Sequence, residues 1–406
     1  MSKKKKKLQE NQVEAAGAVD PRIDEAMAKI VQDTIGNDTV YDQPKKKKNR
    51  KATKASGQKS KMKKKKRNIL LSILIGAFLL CTVAGGTFYY YLFAPQFHPS
   101  KTVYIYVDRD DTADSIYHKI KEFGHVNKFT GFQWMAKYKD FDQNIHTGRY
   151  AIRPNDNVYH VYSRFSRGYQ EPMNLTIGSV RTLDRLARSI GKQLMIDSAE
   201  IASQLFDSTF QAQMGYTNIT LPSLFIPETY QVYWDMSVDE FFKRMKDEHE
   251  RFWNKDRLSQ ATAIGMTPEE VSTLASIVEE ETNNNEEKPM VAGLYINRLH
   301  QDMPLQADPT IKFALQDFGL RRITNEHLKV NSPYNTYINT GLPPGPIRIP
   351  SKKGIDSVLN YTKHNYIYMC AKEDFSGTHN FASNYADHMA NARKYRKALN
   401  ERKIFR

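Results

Sequence analysis

The sequence predicts an α+β fold behind a single N-terminal transmembrane helix. Three observations predict it. A long apolar run without charge lies near the N-terminus, short β-branched and aromatic segments alternate with capped helical stretches, and the C-terminal third is dense in Pro, Gly, Asn and Tyr between helices. At 406 residues the chain has room for more than one compact unit.

Charge is unevenly distributed. Residues 1–68 hold 21 Lys and Arg against 8 Asp and Glu, so +13 of the formal +15 lies there and the remainder is nearly neutral. The lysine runs Lys3–Lys7 and Lys45–Lys48 come with almost no aromatic residues, so 1–68 cannot bury enough apolar surface to fold and is predicted as a disordered Lys-rich cytoplasmic tail. Its lysines suit topology and anionic lipid headgroups, and no nucleic-acid partner is expected. Cys81 and Cys370 are far apart, and the first sits in the apolar run, so no disulfide framework is implied. No Cys-x-x-Cys or His-Glu-x-x-His spacing occurs. Asp247-Glu248-His249-Glu250 reads as the solvated face of a helix, and neither a metal nor another cofactor is expected.

Residues 69–93, ILLSILIGAFLLCTVAGGTFYYYLF, are uncharged and long enough to cross a bilayer as a helix. Lys63–Arg67 abut the run on its N-terminal side, whereas the first basic residue beyond it is Lys101. The positive-inside rule then places the N-terminus in the cytoplasm, with Tyr89–Tyr91 in the outer aromatic belt. The expected location is the cell (inner) membrane, single-pass, with the folded part extracytoplasmic (periplasmic).

Beyond the span, Val103–Val107 reads as a strand, a helix runs from Asp111 to about Phe123, a second from Asn127 to Lys139, and Arg149–Ile152 is a strand. This β-α-α-β unit, assigned to 101–170, has the size and order of a small LysM-like glycan-binding module, and equally those of a plain packing subdomain. A linking region, 171–262, follows. It carries a strand at Met173–Ile177, helices at Thr182–Leu194 and Ser198–Phe206, and a long charged helix from Ser237 to about Ala261.

The remaining segment, 263–406, contains most of the chemistry-bearing residue types. TPEEVSTLASIVEEET at 267–282 has a helix start specified by Thr267 as cap, Pro268 at the first helical position and Glu270 closing a capping box. Val271, Leu274, Ala275 and Val278 form one apolar stripe, with Ile277 on its flank. At about 100° per residue, Glu280 points nearly opposite the stripe, Glu279 lies well off it, and Glu281 falls at its edge. A carboxyl at the rim of an apolar face is desolvated and its pKa raised, which suits a general acid near neutral pH. Spacing alone fits better a helix that simply ends beside the loop Asn283-Asn284-Asn285 and does no chemistry.

A further amphipathic helix, Val291–Leu299, carries Asn297 near its end and leads into Pro304–Thr310, which offers Gln306 and a second carboxylate, Asp308. Two proline-stiffened loops follow, one with Tyr334, Asn335, Thr336 and Tyr337, the other Gly341–Ile347. Aromatic faces with amides and hydroxyls in rigid loops suit sugars, though each such residue alone also fits a plain surface loop.

Taken in order, LASIVEEET, INRL, PLQADPT, SPYNTY, GLPPGPI and YIYM with Gly377–Phe381 resemble the endolytic murein transglycosylase (YceG-like) family over roughly residues 103–402. The resemblance implies an N-terminal membrane helix, a LysM-like subdomain and a C-terminal catalytic domain. In the family motif I-[IV]-E-x-E-T the catalytic glutamate directly precedes threonine, which lands on Glu281. Phe225–Tyr230 resembles the element F-x-P-[DE]-T-Y, but Pro222-Ser223 stand where the family commonly has Glu-Gly. Phe313 stands where it has a tyrosine, so no hydroxyl can be required there.

The activity so implied is cleavage of the MurNAc–GlcNAc β-1,4 bond of nascent peptidoglycan strands with 1,6-anhydro ring formation, ending strand elongation near the membrane beside the cell-wall synthesis machinery. Glu281 is the expected catalytic residue; Asn297, Gln306, Asp308, Tyr334, Asn335, Thr336 and Tyr337 are the expected substrate-binding residues. The alternatives are a hydrolase using Glu281 with Asp308, and a non-catalytic peptidoglycan-binding anchor.

Overall fold

The computed structural model describes residues 56–402. The chain divides after Cys81 into two compact units. Helix α1, Ser56–Phe93, is the one described helix long and apolar enough to cross a membrane, from Lys64 to Phe93. Most of the tail assigned to 1–68 lies outside the described residues.

Beyond α1 the first subdomain runs β1 (Val103–Val107), α2 (Ala113–Gly124), α3 (Thr130–Tyr138), β2 (Gly148–Ile152) and α4 (Val158–Ser166). β1 and β2 pair antiparallel from Val103↔Ile152 to Val107↔Gly148. α2 starts at Ala113 because Thr112 and Ser115 form a reciprocal capping box. α3 starts later than the pattern suggests, at Thr130, and the Asn127 N–H ahead of it donates to Gln96 O at 2.9 Å. Rings dominate this core: Phe97, Phe132, Phe141, Tyr150 and Phe165 are all essentially inaccessible.

The next part comprises β3 (Met173–Ile177), α5 (Leu183–Gly191), α6 (Ser198–Phe206), α7 (Ser208–Met214), β4 (Glu228–Val232), α8 (Val238–Phe252) and α9 (Lys255–Ala263). β3 and β4 pair antiparallel, and Leu175, Leu186, Ile190, Phe225 and Phe241 give the region a core of its own. The single long helix expected over 237–261 is two helices. Trp253 turns into the core and Asn254 caps α9, accepting from the backbone N–H groups of Asp256 and Arg257. His249 is likewise not on a solvated face: it packs against Trp253 and Tyr216, and burial pushes its pKa down. Among the described residues no cluster suited to a metal exists, and both cysteines are free.

The last part holds α10 (Pro268–Glu281), α11 (Lys288–His300), α12 (Asp308–Ala314), α13 (Lys352–Leu359), β5 (Tyr368–Ala371), β6 (His379–Ala382) and α14 (Tyr385–Glu401). β5 and β6 make a third two-stranded antiparallel sheet. α10 begins with the expected Thr267–Glu270 capping box, but it is not amphipathic in place: every residue from Val271 to Glu279 is buried. Its polar positions tolerate this because Ser272, Thr273 and Ser276 donate their hydroxyls to carbonyls of the preceding turn, at 2.8, 2.8 and 2.7 Å. Val271, Leu274 and Ile277 are fully inaccessible, each such side chain contributing about 1.5–3 kcal/mol of burial energy. A helix held on all sides is a rigid support for whatever its last turn carries.

Candidate active site

The last turn of α10 carries Glu279, Glu280 and Glu281 in three different environments. Glu279, 8% exposed, accepts from the Ser351 N–H at 2.9 Å and from the Ser351 hydroxyl, with Lys288 Nζ at 3.5 Å. Its carboxylate thus sits at the N-terminus of α13, where the helix dipole favours it. Gly354 makes room for it, since a Cβ there would lie 2.9 Å from the Glu279 carboxyl carbon. Glu280 is held by Arg181 at 2.8 Å through two nitrogens and by Arg348 at 2.9 Å. The expectation that only Glu281 turns inward is therefore corrected: in a helix packed on every side, Glu279 is enclosed as well.

Glu281 differs in what surrounds it. Among the described residues it makes no ion pair and one hydrogen bond, accepted from the Tyr295 hydroxyl on α11 at 2.7 Å. The residue keeps some exposure through a cavity, but its carboxyl is enclosed. Burial pushes its pKa up to about 7; the Tyr295 hydrogen bond and the nearby His379 and Lys312 oppose that rise, and Asp308 adds to it. A carboxyl in this state exists in both protonation forms near neutral pH, as an acid–base catalyst requires.

The cavity, ≈ 230 Å³, is lined by Glu281, Tyr295, Arg298, Gln306, Asp308, Tyr337 and His379, with Leu294, Leu305 and Met369–Ala371 completing the wall. Gln306 reaches it from a left-handed backbone conformation (φ 53°), fixed by a bond from its N–H to Thr336 O at 3.0 Å. Asp308 opens α12 and accepts from the Tyr337 hydroxyl at 2.6 Å. Arg298, 7% exposed, spends its donors on Ile367 O, Pro304 O, Leu305 O and Gln306 Oε1, so it knits the wall together. His379 is aimed by Glu287, which accepts from its backbone N–H at 2.6 Å and lies 3.0 Å from Nδ1. That leaves Nε2 as the ring nitrogen available to the cavity.

Of the seven side chains expected to meet substrate, the structure brings Gln306, Asp308 and Tyr337 to the cavity and leaves four away from it. Asn297 donates to His364 O and Tyr366 O, at 2.7 and 3.0 Å, tying down the strand that leads into β5. Tyr334 packs on Phe313, ring centroids 4.6 Å apart, and burial pushes its pKa up to about 12. Asn335, fully buried, donates to Leu328 O and Val330 O. Thr336, 1% exposed, accepts from the Ala307 N–H at 3.0 Å and bonds Thr310. These four shape the loops that present their neighbours. Sequence reasoning missed Tyr295, Glu287 and the orientation of His379. A tyrosine inside the apolar stretch of α11 was the available signal, because a buried phenol needs a partner.

The YceG-like family profile matches residues 105–394, and the chain belongs to that family. A protein of Streptococcus pneumoniae serotype 2, named endolytic murein transglycosylase, is 28% identical over 307 residues, 68% of this chain and 55% of its own length. The chain thus spans about half the length of the pneumococcal relatives it matches. A Bacillus subtilis protein of the same name is 28% identical over 330 residues, covering 77% of this chain and 90% of its own. Among solved structures, a YceG-like protein from Listeria monocytogenes is 26% identical with a TM-score of 0.49, over 72% of this chain and 99% of that one.

Proposed function

We propose that this protein is a membrane-anchored lytic transglycosylase that cuts peptidoglycan glycan strands internally, with Glu281 as its catalytic acid and base. The observation that carries the reading is a carboxyl, enclosed and with no ion pair among the described residues, at the end of a rigid helix and on the wall of a polar cavity. The names of its pneumococcal and B. subtilis relatives support the same reading.

In the proposed reaction, protonated Glu281 gives its proton to the oxygen joining MurNAc C1 to GlcNAc as the C1–O bond breaks. The carboxylate so formed takes the proton from the MurNAc C6 hydroxyl, whose oxygen attacks C1 and closes the 1,6-anhydro ring. No water is consumed, and Glu281 ends as it began. Tyr295 and His379 stabilise the transient carboxylate, whereas Gln306 and the Tyr337–Asp308 pair hold the sugars. The 101–170 subdomain is read as a LysM-like strand-binding unit on its β-α-α-β order, 171–262 as the connecting region and 263–406 as the catalytic domain. The basic residues Lys63–Arg67, within α1 but ahead of its apolar run, put the N-terminus in the cytoplasm, so the cavity lies outside, where strands are made and the synthesis machinery works.

Asp308 on the same wall favours the hydrolase as the second reading, because two carboxylates are the usual requirement for hydrolysis. Mass spectrometry of digested peptide-free and peptide-bearing strands separates the two. The transglycosylase gives anhydro ends lighter by one water; the hydrolase gives reducing ends. Glu281→Gln is expected to lower the cutting rate about 1,000-fold, within the range of general acid–base catalysis. Full activity in that variant would sink the assignment.

A further inference from the structure

The junction between α1 and the first subdomain has no slack. In the unit that begins at Thr82, Leu92 and Phe97 are both in the core, the latter with no exposure. The residues between them are tied to the subdomain. Gln96 Nε2 donates to Tyr90 O at 3.1 Å, the N–H groups of Gln96 and Phe97 donate to Asp156 O at 3.0 and 3.1 Å, and Phe97 O accepts from Asn155 N–H at 2.9 Å. α3 crosses the helix end at close range: a Cβ on Gly131 would lie 2.3 Å from Tyr91 O, so only glycine permits the approach. The helix end is thus packed into the core of the subdomain.

Exposed rings surround this junction. Trp134, 52% exposed, packs on Tyr91 with centroids 5.4 Å apart, and Tyr159, 37% exposed, packs on Phe93 at 5.5 Å. Lys128 Nζ lies 5.2 Å from the Tyr90 ring centroid and 5.5 Å from that of Tyr91. Tyr138, 81% exposed, follows Trp134 one helical turn on, on the same face of α3. Residues 127–139 contain three lysines and no acidic residue. Rings that touch the last tyrosines of a membrane span occupy the depth those tyrosines occupy. Trp and Tyr favour that layer, where the ring is apolar and its N–H or O–H stays wet, and lysines beside them reach lipid phosphates.

We infer that this aromatic and cationic face of the first subdomain is seated in the headgroup layer of the membrane, with an anionic phospholipid surface as its partner. The inference rests on reading α1 as a membrane span with the folded part outside. Sugar rings could also stack on Trp134, but the patch is continuous with the rings of α1 itself, and a glycan strand would have to enter the headgroup layer to reach it.

The full chain is reconstituted in phosphatidylglycerol–phosphatidylethanolamine vesicles carrying a nitroxide at the top of the acyl chain, and tryptophan emission is compared with that of Trp134→Phe. Trp134 is exposed, so the variant folds. The protein has three tryptophans, and Trp253 is buried. The expected result is quenching in the native protein that loses its larger part in Trp134→Phe, and that weakens in Lys128→Glu/Lys139→Glu, since Lys139 Nζ lies over the Tyr138 ring as Lys128 does over Tyr90. Equal quenching of native protein and Trp134→Phe overturns the inference. So does emission that ignores the nitroxide lipid but shifts with soluble glycan strands. Flotation of the vesicles keeps the two readings apart: protein that fails to co-float removes the span itself, whereas co-flotation without quenching of Trp134 removes only the lipid-seated face.

Discussion

On one flank of α10's last turn, Glu279 and Glu280 meet Lys288, Arg181, Arg348 and the N-terminus of α13. On the other, Glu281 meets a phenol, a histidine and the open cavity. The three side chains are identical and consecutive, so the difference between them is wholly environmental. Where cations and helix-start N–H groups converge, the carboxylate is held in ion pairs and hydrogen bonds; where they are withheld, burial raises the pKa. Placing both on one turn lets the paired flank fix the position of the unpaired one.

The comparison breaks most severely if the paired flank is opened. Glu279→Ala leaves Lys288 buried without its carboxylate and frees the Ser351 N–H, and the expected cost is about 3–5 kcal/mol of stability. Urea denaturation of the detergent-solubilised chain measures it, and a loss under about 1 kcal/mol would mean the pair is relaxed or hydrated.

A smaller effect is expected on the unpaired flank, with the opposite sign. Because the folded pKa of Glu281 is raised, to about 7 from 4.5, its contribution to stability is complete below the unfolded value and disappears as pH rises through the folded one. Glu281→Gln has no such titration. Its stability relative to the native protein should therefore improve by on the order of 3 kcal/mol between about pH 4 and about pH 8. Melting curves across that range check this, and a difference that stays flat with pH would show the carboxyl to be solvated.

The smallest change sharpens rather than breaks the contrast. Tyr295→Phe removes the hydrogen bond that holds the Glu281 pKa down, so the alkaline limb of the pH–rate profile should move up by about one unit. A limb that moves down, or stays in place, would assign that limb to another group.

Much of this was legible in the residues. The long apolar helix, the strands at 103–107 and 173–177 and the start of α10 all follow from local signals: hydropathy, alternation and capping. Helical geometry placed Glu281 correctly at an apolar edge, but for too simple a reason. It treated α10 as a surface helix with one buried face, and so left Glu279 outside. The split of the 237–261 stretch was also missed. The charge pattern continues across Trp253 and Asn254, and only the packing of Trp253 into the core selects the break.

What the sequence determined by itself was which residues can do the chemistry and where the chain can cross a membrane, because both depend on residue type and near neighbours. Only the tertiary structure decided which candidates meet. Asn335, Thr336 and Tyr337 are consecutive, yet the first two turn inward to bond loop backbone or the buried Ala307–Thr310 turn, and the third reaches Asp308 at the cavity. Likewise His379 comes beside Glu281 because Glu287, 92 residues earlier, grips it and because β6 pairs it with Ala371. Such contacts are set by how helices and loops close on one another, and no period in the sequence encodes that distance.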